Sequence, residues 1–279
     1  MATARRLPEE DEVLPEDVVD LVDVPAAVIC AACGQSDCPG CMELEARTAS
    51  GVVLFVPWER PGSSFWTRFW GTTRASTEGA DAFFAGMPAG PVSPALSYAV
   101  LGESVAVGTS IVAIFGAGAA LLFAVVPVFA SHLLADAEFR AQLARMFVAA
   151  WLSFTTVLVG AHALHGWSLH RAAAREGADG EGREQRALRF GLYAAGWDVA
   201  TSPFGLLVTL FTGGPRAVLA ARAHAFHTPG RSTAAMLRGI YRLEGEVAAK
   251  ARARSMTLTM IVSTAGIVAA LLAVAAASR

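Results

Sequence analysis

Between Ser104 and Ala135 the chain runs for thirty-two residues without an Asp, Glu, Lys or Arg. Its centre, Val105 to Ala130, is mostly Val, Ala, Ile, Leu, Phe and Gly, and about 20 apolar residues suffice to cross a bilayer as a helix. Helices buried in water-soluble proteins seldom show so long an uncharged interval. The pattern recurs at Met146 to His170 and at Ser255 to Ser278, again without a formal charge. Gly108, Gly116, Gly118 and Pro127 suit a membrane helix packed closely against neighbours. The expected fold is therefore an all-α polytopic membrane protein. It is a small bundle of four to five membrane elements, with spans at about 105–130, 146–169, 190–213 and 255–277.

Composition supports this. Charged residues make up 16% of the chain, against roughly a quarter in ordinary soluble domains, and the mean hydropathy is +0.47. The formal net charge of -2 conceals a division. Residues 1–92 hold fourteen acids and six arginines, and residues 93–279 hold ten acids and sixteen basic residues. The N-terminus passes from Arg5 and Arg6 into acidic residues, not an apolar run, so no cleavable signal peptide is expected and insertion falls to the internal helices. Four segments follow: an acidic, proline-interrupted tail at 1–25, a cysteine module at 26–50, an aromatic juxtamembrane region at 51–94 and a membrane domain at 95–279.

All four cysteines lie in one motif, Cys30, Cys33, Cys38 and Cys41. Two Cys-x2-Cys units can present four thiolates to a tetrahedral ion, with Gly34, Pro39 and Gly40 suiting the turns. A single structural zinc per chain is the expected occupant, its binding energy replacing a core that so short a knuckle lacks. Iron accepts the same ligands, and two disulfides would suit an oxidising compartment. A closed four-cysteine site has no open position, which points to protein recruitment instead of hydrolysis.

Gly51 to Pro57 reads as a short strand. After it come Trp58, Phe65, Trp66, Phe69 and Trp70, with Arg68 and Arg74 among them. Aromatic pairs four residues apart share a helical face, and such a face suits the headgroup region, where rings straddle apolar and wet zones and arginines meet phosphates. Glu103, at the start of the first span, is expected at headgroup depth. His162 and His165 share a face of the second span, and His170 returns to roughly that face. Three such imidazoles can bind a transition metal or titrate near neutrality, and His224 and His227 would complete a site if brought close. The headgroup boundary also suits these positions, and that is the reading adopted for them.

Residues 171–189 read as a solvated loop. Phe190 to Pro215 is apolar apart from Asp198 and is broken by Ser202-Pro203 and by Gly213-Gly214-Pro215. An intramembrane aspartate is costly unless paired, so Asp198 beside Pro203 marks a candidate polar site. Arg216 to Arg254 carries eight basic residues and two acids, which assigns it to the cytoplasmic side. The loop at 171–189 is also arginine-rich, so 190–213 is expected to be a broken, re-entrant element returning to the same side. A long helix from Thr233 to Arg254 then leads into the last span.

Val56-Pro-Trp-Glu59-Arg60, Phe65-Trp66, Phe69-Trp70, Phe83-Phe84-Ala-Gly-Met-Pro88, Tyr193-Ala-Ala-Gly-Trp-Asp198 and Ser202-Pro203-Phe-Gly205 together resemble bacterial members of the Yip1-domain membrane family. That resemblance implies a multi-span membrane scaffold without catalytic residues, in which Tyr193, Asp198, Pro203 and Gly205 serve architecture. The resulting expectation is a non-enzymatic scaffold in the bacterial inner membrane. Its N-terminal region is cytoplasmic, and its partners are the bilayer, an unidentified protein and a second copy of itself. Nucleic acid is excluded as a partner, because the head bearing the cysteines is acidic. Two alternatives stand beside it: a small transporter using Asp198 and the broken helix, and a metal-dependent membrane enzyme using His162, His165, His224 and His227.

Overall fold

The computed structural model describes residues 56–178, 180–225 and 227–278. A 3-10 turn at Pro57–Glu59 leads into α1 (Phe65–Thr77), α2 (Ala80–Ala85), α3 (Val92–Val125), α4 (Pro127–Ala135) and α5 (Ala137–Arg175). Then come α6 (Arg183–Tyr193), α7 (Gly196–Thr201), α8 (Pro203–Ala225), α9 (Thr228–Met236), a π turn at Leu237–Tyr241 and α10 (Gly245–Ala277). Among the described residues there is no strand. The protein is an all-α polytopic membrane protein, and α3, α5, α8 and α10 are each long and apolar enough to cross a bilayer.

Length explains the architecture. Helices α3, α5 and α10 contain 34, 39 and 33 residues, or about 50–60 Å at 1.5 Å per residue, whereas a hydrocarbon core is about 30 Å thick. Each therefore has several turns to spare, and the spare turns build a helical cap at one end of the bundle. The buried residues of α3 run from Ala95 to Ile111, and beyond them Val112, Ile114, Phe115, Leu121 and Phe123 are exposed. In α5 the buried cluster is His165 to Ala173, near its C-terminus. Helices α5 and α10 are antiparallel. Arg254 pairs with Glu176 in the cap, Ser168 and Ser255 share a 2.8 Å hydrogen bond, and at the far end Gln142 donates to the Ser278 carbonyl.

The cap core is aromatic, with Phe69, Phe84, Tyr98, Phe190 and Tyr193 all buried. At its centre lies Arg189, wholly excluded from solvent. Its guanidinium pairs with Glu59 at 2.9 Å and donates to the Pro91 carbonyl at 2.8 Å, and Tyr193 donates to the same carboxylate. Burial pushes the Tyr193 phenol far above its usual range, and its hydrogen bond to the Glu59 carboxylate adds to this, so it remains a donor. The contact ties the first described turn to α6 and to the start of α3.

Helix α8 is interrupted at Gly214, whose φ of 74° lies in the left-handed region. Both its flanks belong to the cap end. Trp197, just before it, donates to the Ser76 carbonyl, and Arg231, just after it, pairs with Asp81. An apolar groove between the limbs is lined by Leu206 and Leu210 from one and by Val218 and Leu219 from the other. Both flanks of α8 thus lie at the cap end with the break at Gly214, whereas the re-entrant element was expected at 190–213, of which 190–201 is taken up by α6, α7 and the turn between them.

Other expectations need correction. The helix carrying the first span begins at Val92, well before residue 105, and stops at Val125, because Val126 leaves helical geometry ahead of Pro127. Glu103 is buried in the cap and not solvated at headgroup depth. The segment 171–189 is not a loop: α5 continues to Arg175, and α6 starts at Arg183 and places Arg189 in the core. Thr233 to Arg254 is not one helix, since α9 ends in a π turn and Arg242 adopts a left-handed conformation before α10. Of the expected strand, Pro57 lies in a 3-10 turn, and residues 51–55 lie outside the described ones.

Two outcomes are expected. Glu59→Ala strands a buried guanidinium and should lower unfolding stability in detergent by about 3–5 kcal/mol, while adding Arg189→Met should restore much of it; equal losses in both variants would contradict a buried pair. In a cysteine-free background, Thr201→Cys and His227→Cys should react with a membrane-impermeant thiol reagent from the same side of a vesicle, and Asp136→Cys from the opposite side.

Candidate metal centre

Three helices bring polar side chains together at the base of the cap. Glu103 comes from α3, His162 from α5 and Asp198 from α7. Glycines set these approaches. A Cβ on Gly102 would sit 3.1 Å from Val199 Cγ2, and one on Gly196 would sit 2.1 Å from Ser76 Oγ, so α7 reaches α3 and α1 only because both positions lack side chains. A Cβ on Gly191 would lie 2.1 Å from the carbonyl oxygen of His162 itself. Helix α6 therefore seats directly on the turn that carries the imidazole and delivers α7 to it. Trp197 packs edge-on against the His162 ring, with centroids 6.3 Å apart, and its indole N–H is fixed by the Ser76 carbonyl at 2.8 Å.

The Nε2 atom of His162 lies 3.0 Å from Glu103 Oε1 and 2.9 Å from Asp198 Oδ2. Side-chain exposure grades across the cluster from 0% at Glu103 through 11% at His162 to 42% at Asp198. The centre is thus closed on one side and open on the other.

Charge and proton count point to a cation. One ring nitrogen carries at most one hydrogen, yet two carboxylate oxygens converge on it. The second oxygen of Glu103 is buried with no hydrogen-bond partner, an arrangement that normally costs several kcal/mol. A divalent ion bound by neutral imidazole and both carboxylates balances the charge. Donors about 2.1 Å from an ion and at right angles to one another are about 3.0 Å apart, close to the two separations observed. All three donor atoms lie within 4.8 Å of one another.

Not every expected residue joins. His165 Nε2 contacts Thr233 Oγ1 at 3.2 Å and its ring packs on Phe190, while His170 Nδ1 contacts the Tyr241 hydroxyl at 3.1 Å. Both are cap-core histidines, so the three imidazoles do not form one site. His227 is an exposed turn residue ahead of α9, and the side chain of His224 lies outside the described ones. Pro203 opens α8 behind Ser202, whose hydroxyl accepts from the Gly205 N–H at 3.2 Å, a capping role and not a ligating one. Among the aromatic residues, Phe69 is buried, Trp58 and Trp70 are half-buried, and Phe65 and Trp66 are exposed. The expected interfacial face is therefore in part a core face.

Cys30, Cys33, Cys38 and Cys41 lie outside the described residues. Among the described residues, the metal-ligating geometry is imidazole and carboxylate within the membrane body. It overturns the reading of the chain as a non-enzymatic scaffold organised around a cysteine-bound zinc for recruitment. The fold and site together define a polytopic all-α membrane protein with an imidazole–dicarboxylate centre at the base of its cap. No protein-family model, curated protein or solved structure matches the chain. Cobalt(II) added to purified protein with all four cysteines changed to serine should give visible d–d absorption that survives His165→Ala and His170→Ala and disappears in His162→Ala.

Proposed function

We propose that the protein is a metal-dependent membrane enzyme whose Glu103, His162 and Asp198 hold one divalent cation. The observation that carries this reading is the convergence of three donors from three helices around a carboxylate whose second oxygen is buried without a partner. Three protein donors leave coordination positions free, as in hydrolytic sites and unlike closed structural ones. One imidazole with two carboxylates suits zinc, manganese or iron(II) better than a thiolate-seeking ion.

A bound ion would supply Lewis acidity and an activated water. The protein's own contribution is positional. Glu103 anchors the site from its dry side, Trp197 fixes the His162 ring, and half-exposed Asp198 marks the side from which a substrate arrives. Metal-assisted hydrolysis of a substrate presented at the membrane boundary is the reaction class that fits. The position of the centre favours an enzyme over a transporter, because transport sites built on broken helices lie near the bilayer midplane, and this centre sits where the cap meets the lipid-facing turns. Charge bias orients the molecule. The cap end carries Arg171, Arg175, Arg183, Arg186, Arg231, Arg238 and Arg242, whereas the opposite end offers Arg140 and Arg145 beside Asp136 and Glu138. We accordingly place the cap on the cytoplasmic face of a bacterial inner membrane.

Elemental analysis of the detergent-purified full chain, with Cys30, Cys33, Cys38 and Cys41 all changed to serine, tests this. The cysteine-free protein should retain a divalent metal that His162→Ala and Glu103→Gln lose. Ester or phosphoester hydrolysis in mixed micelles should stop on chelation and return with the metal. A metal lost with the cysteines and kept in His162→Ala overturns the proposal.

A further inference from the structure

A second polar concavity lies at the outer edge of the cap, sharing no residue with the metal centre. It is a cleft of about 670 Å³ bounded by Trp58, Glu59, Arg68, Ser93 and Ser97, with Pro91 and Pro94 at the turn into α3. Three features give it the character of an anion site. Arg68 stands 5.5 Å from the centre of the Trp58 ring, and its Nε is buried with no hydrogen-bond partner. The Glu59 carboxylate in the wall is already neutralised, since Arg189 and Tyr193 both bind it. That leaves the Arg68 charge uncompensated. Finally, α3 begins here with Pro91 at its N-cap and no side-chain cap, so first-turn N–H groups and the Ser93 hydroxyl face an end of the helix that favours negative charge. The tryptophan wall is held in place by its indole N–H, which donates to Ser97 Oγ at 3.0 Å, and by its backbone N–H, which donates to Thr72 Oγ1 at 2.7 Å.

The surroundings indicate where the anion comes from. Leu96 and Val100, on the turns of α3 beside the cleft, are exposed; residues 101–111 are buried or half-buried, and exposed apolar residues resume at Val112. Phe65 and Trp66 are exposed on α1, the helix that carries Arg68. A headgroup seated in the cleft can set the upper part of its acyl chains against Leu96 and Val100, with the Phe65 and Trp66 rings at headgroup level. We infer that the cleft between Trp58, Arg68 and the start of α3 binds the phosphate of an anionic membrane phospholipid. The binding is independent of the metal centre.

The experiment uses the full chain in nanodiscs of phosphatidylcholine with an equal share of phosphatidylglycerol, followed by detergent extraction and quantification of retained lipid. Wild type should retain phosphatidylglycerol over phosphatidylcholine by about fivefold, the preference one basic residue supplies. Arg68→Gln, which keeps a stem against Trp58, should bring that ratio close to one. Arg68→Lys should keep most of the preference, and Arg74→Gln on the same helix should leave it unchanged. Equal retention of both lipids by wild type, or a preference that survives Arg68→Gln, overturns the proposal. Inorganic phosphate in lipid-free micelles that raises thermal stability in an Arg68-dependent way, with no lipid preference, would assign the cleft to free phosphate and overturn the lipid reading.

Discussion

Glu103 places a carboxylate where no water reaches it, and much of the arrangement around it follows from that. An unpaired buried charge is among the most costly groups a fold can hold. Here it is met by an imidazole from a helix fifty-nine residues further along and shares that imidazole with a second carboxylate. The glycines at 102, 191 and 196 are what allow the backbones to come close enough. A related economy appears at Arg189, whose guanidinium charge is met by Glu59 and a backbone carbonyl although its Nε has no hydrogen-bond partner. The cap is thus specified by two buried polar clusters of opposite character. One is a compensated cation. The other gathers two carboxylates around one imidazole.

The membrane character was legible because it rests on composition and run length, which are local properties. The uncharged interval after Ser104 could hardly be anything else. The glycine and proline breaks were legible too, but the bounds were not: residues 190–201 belong to the cap, and the broken apolar helix runs from Pro203 to Ala225. Contacts were not legible either. His162 and Asp198 stood out individually, but nothing in the spacing of residues 103, 162 and 198 declares that they meet, since the meeting is made by helix packing across long separations. Glu103 in particular resembled any carboxylate at the edge of a span. The one available signal was its place directly before the uncharged interval and directly after a glycine. Arg189 was overlooked for a related reason: in sequence it closes an arginine-rich stretch, and only the partner at Glu59 turns a solvated charge into a core residue. The cysteine motif drew attention because its spacing is local and vivid, whereas the donors that assemble in the membrane body are distributed along the chain.

Small-residue contacts and aromatic packing divide the work of holding the cap. Gly166 and Gly191 bring α5 and α6 into backbone contact, where a Cβ on either would stand 2.1 Å from a carbonyl oxygen. Phe84, Phe190 and Trp197 fill the space that remains, with ring centroids 4.8 to 6.4 Å apart. Such packing resists rearrangement because no partner can move without opening a void or forcing an overlap.

Helices α3 and α5 run unbroken from the lipid-facing segment into the cap, and each carries one donor near the crossover. A rigid rod cannot lean in one medium and stand upright in the other. Where hydrocarbon thickness changes, helices of this kind accommodate by tilting, and here the tilt would be carried directly to the relative positions of Glu103 and His162. Asp198, on a short separate helix, would not follow in the same way. The geometry of the centre is therefore mechanically tied to the thickness of the membrane in which the protein resides.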